Sequence, residues 1–349
     1  MRKHKLKKNI NIELIRIISM IMIVFHHFSI HSKWILPEDL GYRKYSILMV
    51  GSFGKIGVLL FILITGYFYA NQSNHKSKLI KLNNQVTFYS LTIFFVASFF
   101  MPFSFKTLIS ALFPIIFEQY WFVTGYLILL LFAPILQPFL INTERRKKLT
   151  FISIIIICMY TPTIFGIIFQ MNNVIKPQIY LVFLLVALCG DLIKEYRVEL
   201  KMNYSKLVFI VFGFTLILIL SKPFIINYLD SHSYIYPYYL ITGTESFVGL
   251  LFSITFFIII LHINVPSKFR KIILFFSSVT FDVYLIHDNK ILRPFIWTML
   301  FDNNEFYWSN ILPLVILFEP LIVFVICALL ARTKNFFNNI LKKQLLSKK

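Results

Sequence analysis

Arg16 and His27 sit eleven residues apart in one apolar run, ELIRIISMIMIVFHHFS. On a helix that interval is about 1100°, within about 20° of three full turns, so the two share a face about 16 Å apart along the axis. The neighbouring His26 points about 80° away from Arg16. A guanidinium fork binds phosphate bidentately, and a neutral imidazole accepts a proton from a hydroxyl near neutral pH. The pair therefore fits a phosphate-bearing ligand at one end and general-base work at the other. Structural roles are the alternative: Arg16 reaching for lipid headgroups, and His27 hydrogen-bonding a neighbouring helix. Ionisable groups inside apolar runs cost a few kcal/mol to insert, which makes each a functional candidate.

A second constellation lies in SSVTFDVYLIHDNKILRPFIW, with Asp282, His287 and Asp288 followed by Lys290 and Arg293. Thr280, Tyr284 and His287 fall at i, i+4 and i+7, a polar stripe on an otherwise apolar helix. The stripe suits a cavity wall, with interhelical hydrogen bonding as the alternative, and Asp282, lying deeper, calls for a polar partner. Lys55, inside GSFGKIGVLLFILITGYFYA, suits a carboxylate or ligand, whereas Gly51, Gly54, Gly57 and Gly66 suit close helix packing. Glu118 and Trp121 open EQYWFVTGYLILLLFAPIL, as a second acid or base and as an interfacial or sugar-stacking ring. Cys158, Cys189 and Cys327 show no metal or disulfide spacing and read as buried free thiols, and no metal is expected. P-loop, HExxH, GxSxG and Rossmann glycine signatures are absent from the sequence.

The elements that must hold these groups are set by composition. The 349 residues are 58% hydrophobic and only 14% charged, with a mean hydropathy of +0.75. A soluble domain carries about a quarter charged residues, so lipid is the solvent for most of this chain. Apolar runs fall near 10–30, 47–70, 86–104, 121–140, 149–170, 178–193, 207–226, 240–263, 271–290 and 310–331. This is an all-α membrane protein of about ten transmembrane helices, with Leu108–Phe117 as a short interfacial or re-entrant piece. The N-terminal MRKHKLKKNI resembles a signal-peptide n-region, but the run after it is long and holds Arg16 and paired histidines, so it reads as a retained first helix. Of 35 Lys and Arg, 25 fall in the tails and alternate loops on one side and eight on the other, while Arg16 and Lys55 lie within helices. By the positive-inside rule both termini are cytoplasmic, in the plasma membrane. The net charge of +20 is clustered between apolar runs, which suits anionic lipid and not nucleic acid. With the longest outer loop at 291–309, residues 1–349 read as one membrane-embedded domain.

At these motifs the chain resembles the acyltransferase-3 family of ten-helix membrane acyltransferases. The family's Arg, ten residues, His pattern falls on Arg16 and His27. GKIGVLLFILITGYF and YWFVTGYLILLLFAPIL resemble its second and fourth helices, and TFDVYLIHDNKILRPFIW resembles a late segment in which Asp282 stands where Gly is common. The family's basic motif after the second helix is represented loosely by His75, Lys76, Lys78 and Lys81. The resemblance implies acyl-CoA, in particular acetyl-CoA, as donor and a hydroxyl of a surface glycan or lipid-linked sugar as acceptor. It implies His27 as general base or acyl relay, Arg16 as holder of the donor, and His287, Asp288 and Arg293 on the acceptor side. A polysaccharide transporter or polymerase is the rival; it would spread charged residues over several midplane helices, and here they concentrate in the first helix and at the outer ends.

Overall fold

The computed structural model describes residues 8–71, 75–169, 177–231 and 243–347, which form helices, with no strand among them. In chain order these are α1 (Ile10–His31), α2 (Tyr42–Gly51), α3 (Gly54–Tyr67), α4 (His75–Ala97), α5 (Phe105–Leu112), α6 (Trp121–Asn142) and α7 (Arg145–Ile168). There follow α8 (Ile179–Glu195), α9 (Arg197–Met202), α10 (Ser205–Ser231), α11 (Phe247–His262), α12 (Arg270–Ser277), α13 (Thr280–His287) and α14 (Leu312–Ser347). Short turns at Leu292–Pro294 and Asn303–Phe306, with a π turn at Phe295–Met299, occupy the long loop before α14.

Six helical stretches among the described residues are long and apolar enough to cross a bilayer: Ile10–His31, Tyr42–Tyr67, Trp121–Asn142, Arg145–Gly166, Ser205–Tyr228 and Leu312–Lys334. Phe247–His262 with Ser267–Ser277, bent by 111°, brings the number to seven if the pair is one span. Wide apolar faces point outward, including Ile154, Ile157, Phe209, Phe214, Leu317 and Ile322. A contiguous exposed apolar surface of this kind is a lipid contact, and the chain is a multi-pass membrane protein.

Other helices are too short or too polar to cross a bilayer by themselves. α8 is 17 residues long and buries Val182, Phe183 and the whole stretch Leu185–Ile193. α13 has only eight residues, of which seven are buried. Enclosed by protein, such pieces need neither length nor apolarity to satisfy lipid. α4 starts at His75, well before the expected 86, because its first turns are polar yet helical, and it stops short of Pro102. The expected segment near 271–290 is two helices, α12 and α13, and the one near 47–70 is broken between α2 and α3. Part of the run near 240–263 and residue 170 lie outside the described residues.

Close approach sets the interior. A Cβ on Gly66 would lie 2.0 Å from the Ala187 carbonyl oxygen, so α3 and α8 touch backbone to backbone. A Cβ on Gly54 would lie 2.1 Å from the His26 Cβ, so α1 packs against α3 only because that residue is glycine. At the start of α1 the Asn9 side chain caps the Asn11 amide at 3.0 Å. The Asn11 amide group donates to the carbonyls of Ile260, Leu261 and Ile263, satisfying the orphan acceptors where α11 ends.

Candidate active site

α1 carries functional groups at both ends of the bundle. Toward its N-terminal end a cavity of about 450 Å³ is lined by Lys8, Arg16, Lys78, Lys81, Tyr126 and Asp282, among others. Arg16 is partly exposed there, and its Nη1 donates to Glu13 Oε2 at 3.4 Å. Lys78 and Lys81 come from the polar first turns of α4. Four cations thus converge from α1, its leading segment and α4 on one concave surface. Asp282 is held by Gln85 Nε2 at 2.7 Å and by Lys334 Nζ at 3.5 Å, which supplies the polar partners its depth calls for. His75 is placed against Gln137, with Nε2 and Oε1 3.0 Å apart, and Lys76 is exposed.

At the other end of α1, His27 is buried, with its ring centroid 5.0 Å from that of His287 and 5.1 Å from that of His31. His27 Nδ1 lies 3.5 Å from Asp288 Oδ1, an ion-pair separation longer than a formed hydrogen bond. Asp288 is the C-cap of α13, where the helix dipole disfavours a carboxylate. Arg293 offsets this by donating through Nη2 to both the Asp288 carbonyl at 3.0 Å and Oδ1 at 2.6 Å. His287 Nδ1 is 2.7 Å from the Val283 carbonyl. A ring nitrogen facing a carbonyl must donate, so Nε2 carries the lone pair; it is buried without a partner. Asp288 Oδ2 and His27 Nδ1 are likewise buried and unpartnered. Buried polar atoms are nearly always satisfied, and here several of them gather at one end of α1, with the Tyr284 hydroxyl as a further polar neighbour of Asp288.

The stripe Thr280–Tyr284–His287 joins the two ends. Thr280 lines the cavity. The Tyr284 ring is 5.6 Å from Phe122 and 5.9 Å from Tyr120, and the His287 ring is 6.2 Å further on. Tyr120 pins the turn after α13 to the start of α6, donating to the Leu285 carbonyl at 2.9 Å and accepting from Asn289 Nδ2 at 2.7 Å.

His26 belongs to the scaffold. Its Nδ1 is 2.5 Å from the Gly51 carbonyl, an acceptor located at the break between α2 and α3. Lys55 lies 4.3 Å over the Trp121 ring, a cation–π pair, with Asp288 and Glu245 as the carboxylates in electrostatic reach. Glu118 is apart from this group. It is exposed, has a left-handed backbone at φ 45°, and accepts from the Tyr180 hydroxyl at 3.5 Å. Cys189 and Cys327 are buried free thiols, but Cys158 is exposed on α7, a correction to the expectation for all three. Its stretch is apolar because that helix faces outward, not inward.

Two residues escaped the sequence reading. His31 follows His27 by one turn, a visible i, i+4 signal. Asn289 sits inside the quoted HDNK stretch and stood out by nothing but its neighbours. His27, His31 and Asp288 each bring a donor atom within 4.8 Å of the others, the spacing from which a metal ion can be chelated.

No curated protein and no solved structure matches this chain. The acyltransferase domain that defines the acyltransferase-3 family matches residues 9–332, nearly the whole length, and the chain belongs to that family.

Proposed function

We propose that this protein transfers an acyl group, acetyl foremost, from cytoplasmic acyl-CoA to a hydroxyl of a cell-envelope glycan or lipid-linked sugar. In this reading it is one plasma-membrane domain of ten spans with both termini cytoplasmic, and the cavity around Arg16 opens to the cytoplasm. The observation that carries the proposal is the pairing of His27 with Asp288 at one end of α1 while Arg16 lines a cationic cavity at the other.

The donor's phosphates engage Arg16, Lys8, Lys78 and Lys81, charge-assisted contacts that suit a phosphate-rich ligand. Its pantetheine arm then extends past Phe122 and Tyr284 toward the histidines. Asp288 orients the His27 ring, so that Nδ1 carries the proton and Nε2 is free to act as base. His27 Nε2 takes the acceptor hydroxyl proton as the oxygen attacks the thioester carbonyl. The C–S bond breaks, and the proton passes from His27 to the departing thiolate, giving an O-acyl glycan and free CoA. His287, Asp288 and Arg293 shape the acceptor side, with Lys55 and Trp121 at its rim. Glu118, exposed beside Tyr180, is assigned at most a peripheral acceptor contact. A relay through an acyl-imidazole on His27 differs in one respect: it produces ping-pong kinetics.

The test uses protein in lipid discs with radiolabelled acetyl-CoA and an envelope glycan fraction. At donor concentrations below KM, transfer is expected to vanish in His27→Ala, to fall about 10- to 100-fold in Arg16→Ala and to persist in His26→Asn, whose side-chain amide still reaches the Gly51 carbonyl. Folded wild type that neither binds acetyl-CoA nor transfers label would overturn the proposal in favour of a transporter.

A further inference from the structure

The histidine cluster has more donor atoms than the proton transfer uses. His27 and His31 lie one turn apart on α1, the i, i+4 spacing at which two side chains on a helix meet a common ligand. Asp288 arrives from the end of α13, so the three donors come from two elements that the bundle already holds together. Each places one ligand atom within 4.8 Å of the other two, and His27 Nδ1 and Asp288 are already 3.5 Å apart. Tetrahedral coordination at about 2.0–2.1 Å requires donors about 3.3 Å from one another. Separations of up to 4.8 Å close to this by side-chain rotation, chiefly at His31, which is only partly buried. His27 Nδ1 is nine-tenths buried without a hydrogen-bond partner, and so is Asp288 Oδ2.

We infer that His27, His31 and Asp288 form a binding site for a divalent transition metal of the zinc type, and that the filled site silences acyl transfer. Two neutral imidazoles and a carboxylate are a borderline-soft donor set that selects zinc, cobalt or nickel over magnesium and calcium. Arg293 is the one adverse charge in contact, and it engages Oδ1, leaving Oδ2 for a metal. The inhibition rests on the proposed role of His27. A metal on Nδ1 breaks the orientation by Asp288 and places a dication beside a base that must accept a proton. His31 is the residue that separates the two functions, because the metal needs it and the proton transfer does not.

The experiment uses full-length protein in lipid discs, purified without a polyhistidine tag, and Co²⁺ as the probe. Wild type is expected to bind one Co²⁺ with the visible absorption of a four-coordinate ion, displaced by Zn²⁺ and not by Mg²⁺. His31→Gln is expected to weaken binding at least about tenfold, the lower end of what loss of even an outer partner costs. Its acyl transfer persists and becomes insensitive to Zn²⁺. His262→Gln, on α11 and bonded to its own helix at the Ile258 carbonyl, leaves binding unchanged. Wild type without Co²⁺ binding, or His31→Gln binding as wild type does, overturns the inference. Binding in a protein that shows no acyl transfer would leave the metal site standing and sink the reading of function instead.

Discussion

Replacing Asp288 by Asn separates the chemistry from the binding. The substitution keeps the shape of the side chain and removes a charge 3.5 Å from His27 Nδ1. At that distance a unit charge pair is worth about 5 kcal/mol at an effective dielectric of about 20. In the proposed mechanism the charge matters when His27 takes the acceptor proton and becomes an imidazolium in the transition state. Arg293 on the same carboxylate oxygen, at 2.6 Å, trims the benefit in the wild type. In the variant Arg293 stays behind without its counter-charge and repels the developing imidazolium, which restores the penalty. A loss of about 4 kcal/mol corresponds to a kcat about a thousandfold lower. In the proposed mechanism the donor phosphates bind about 16 Å away along α1, where a unit charge pair is worth about 1 kcal/mol at the same dielectric, so KM for acetyl-CoA should hold within about sixfold. Single-turnover transfer of label in lipid discs, with donor affinity measured on the same preparation, reads both quantities. An Asp288→Asn protein that keeps more than about a tenth of wild-type kcat, or whose donor affinity falls in step with kcat, refutes the assignment.

Arg16→Ala should raise KM for acetyl-CoA about 10- to 100-fold through loss of a charge-assisted phosphate contact worth about 1.5–3 kcal/mol, with Arg16→Lys in between, as initial rates against donor concentration will show. Gly54→Ala puts a Cβ 2.1 Å from that of His26 and should cost about 1–3 kcal/mol by overpacking, seen as a lower thermal midpoint of the solubilised protein. Lys148 is buried with Asp191 at 3.3 Å and reaches Glu195 at 2.5 Å. Lys148→Ala should therefore destabilise by about 3–5 kcal/mol, and adding Asp191→Asn should recover much of it, because the uncompensated buried charge is the larger part of the loss. Thermal unfolding of the single and double variants, followed by size-exclusion, decides this.

The helices were legible where lipid imposes its own rule. α1, α6, α7 and α10 appear within a few residues of the apolar runs, because a lipid-facing helix must be long and apolar and hydropathy reads those two properties. Legibility fails where protein replaces lipid. α4 begins in polar residues whose cations point at the cavity, and α13 is eight residues long with a buried Asp and His. Of the site, the shared face of Arg16 and His27 followed from helix geometry alone. The contact of His27 with Asp288 could not, since it joins residues 261 positions apart and rests on how α13 docks. Lys55 and Trp121 were singled out separately, and the structure pairs them. Glu118 drew attention through its sequence neighbourhood to Trp121, but a left-handed backbone turns it away to Tyr180.

The same contrast explains why a two-sided reaction fits this fold. In the proposed reaction a donor held by its phosphates stays at the basic end and a polymeric glycan at the other, so some element has to keep their reacting groups in register across the interior. α1 does so as one uninterrupted helix of 22 residues. It is pinned at its start by Asn11 on the end of α11, along its length by the glycine-lined face of α3, and near its end by His26 on the broken span. Rigid helix geometry then fixes both the separation of Arg16 from His27 and their common face. The irregular pieces, α13 and the turn carrying Asp288 and Arg293, have only to complete the end that holds His27. Being buried on all sides, they are free of the length and apolarity that lipid demands of the other spans, which is how a carboxylate and two histidines come to sit side by side inside a membrane protein.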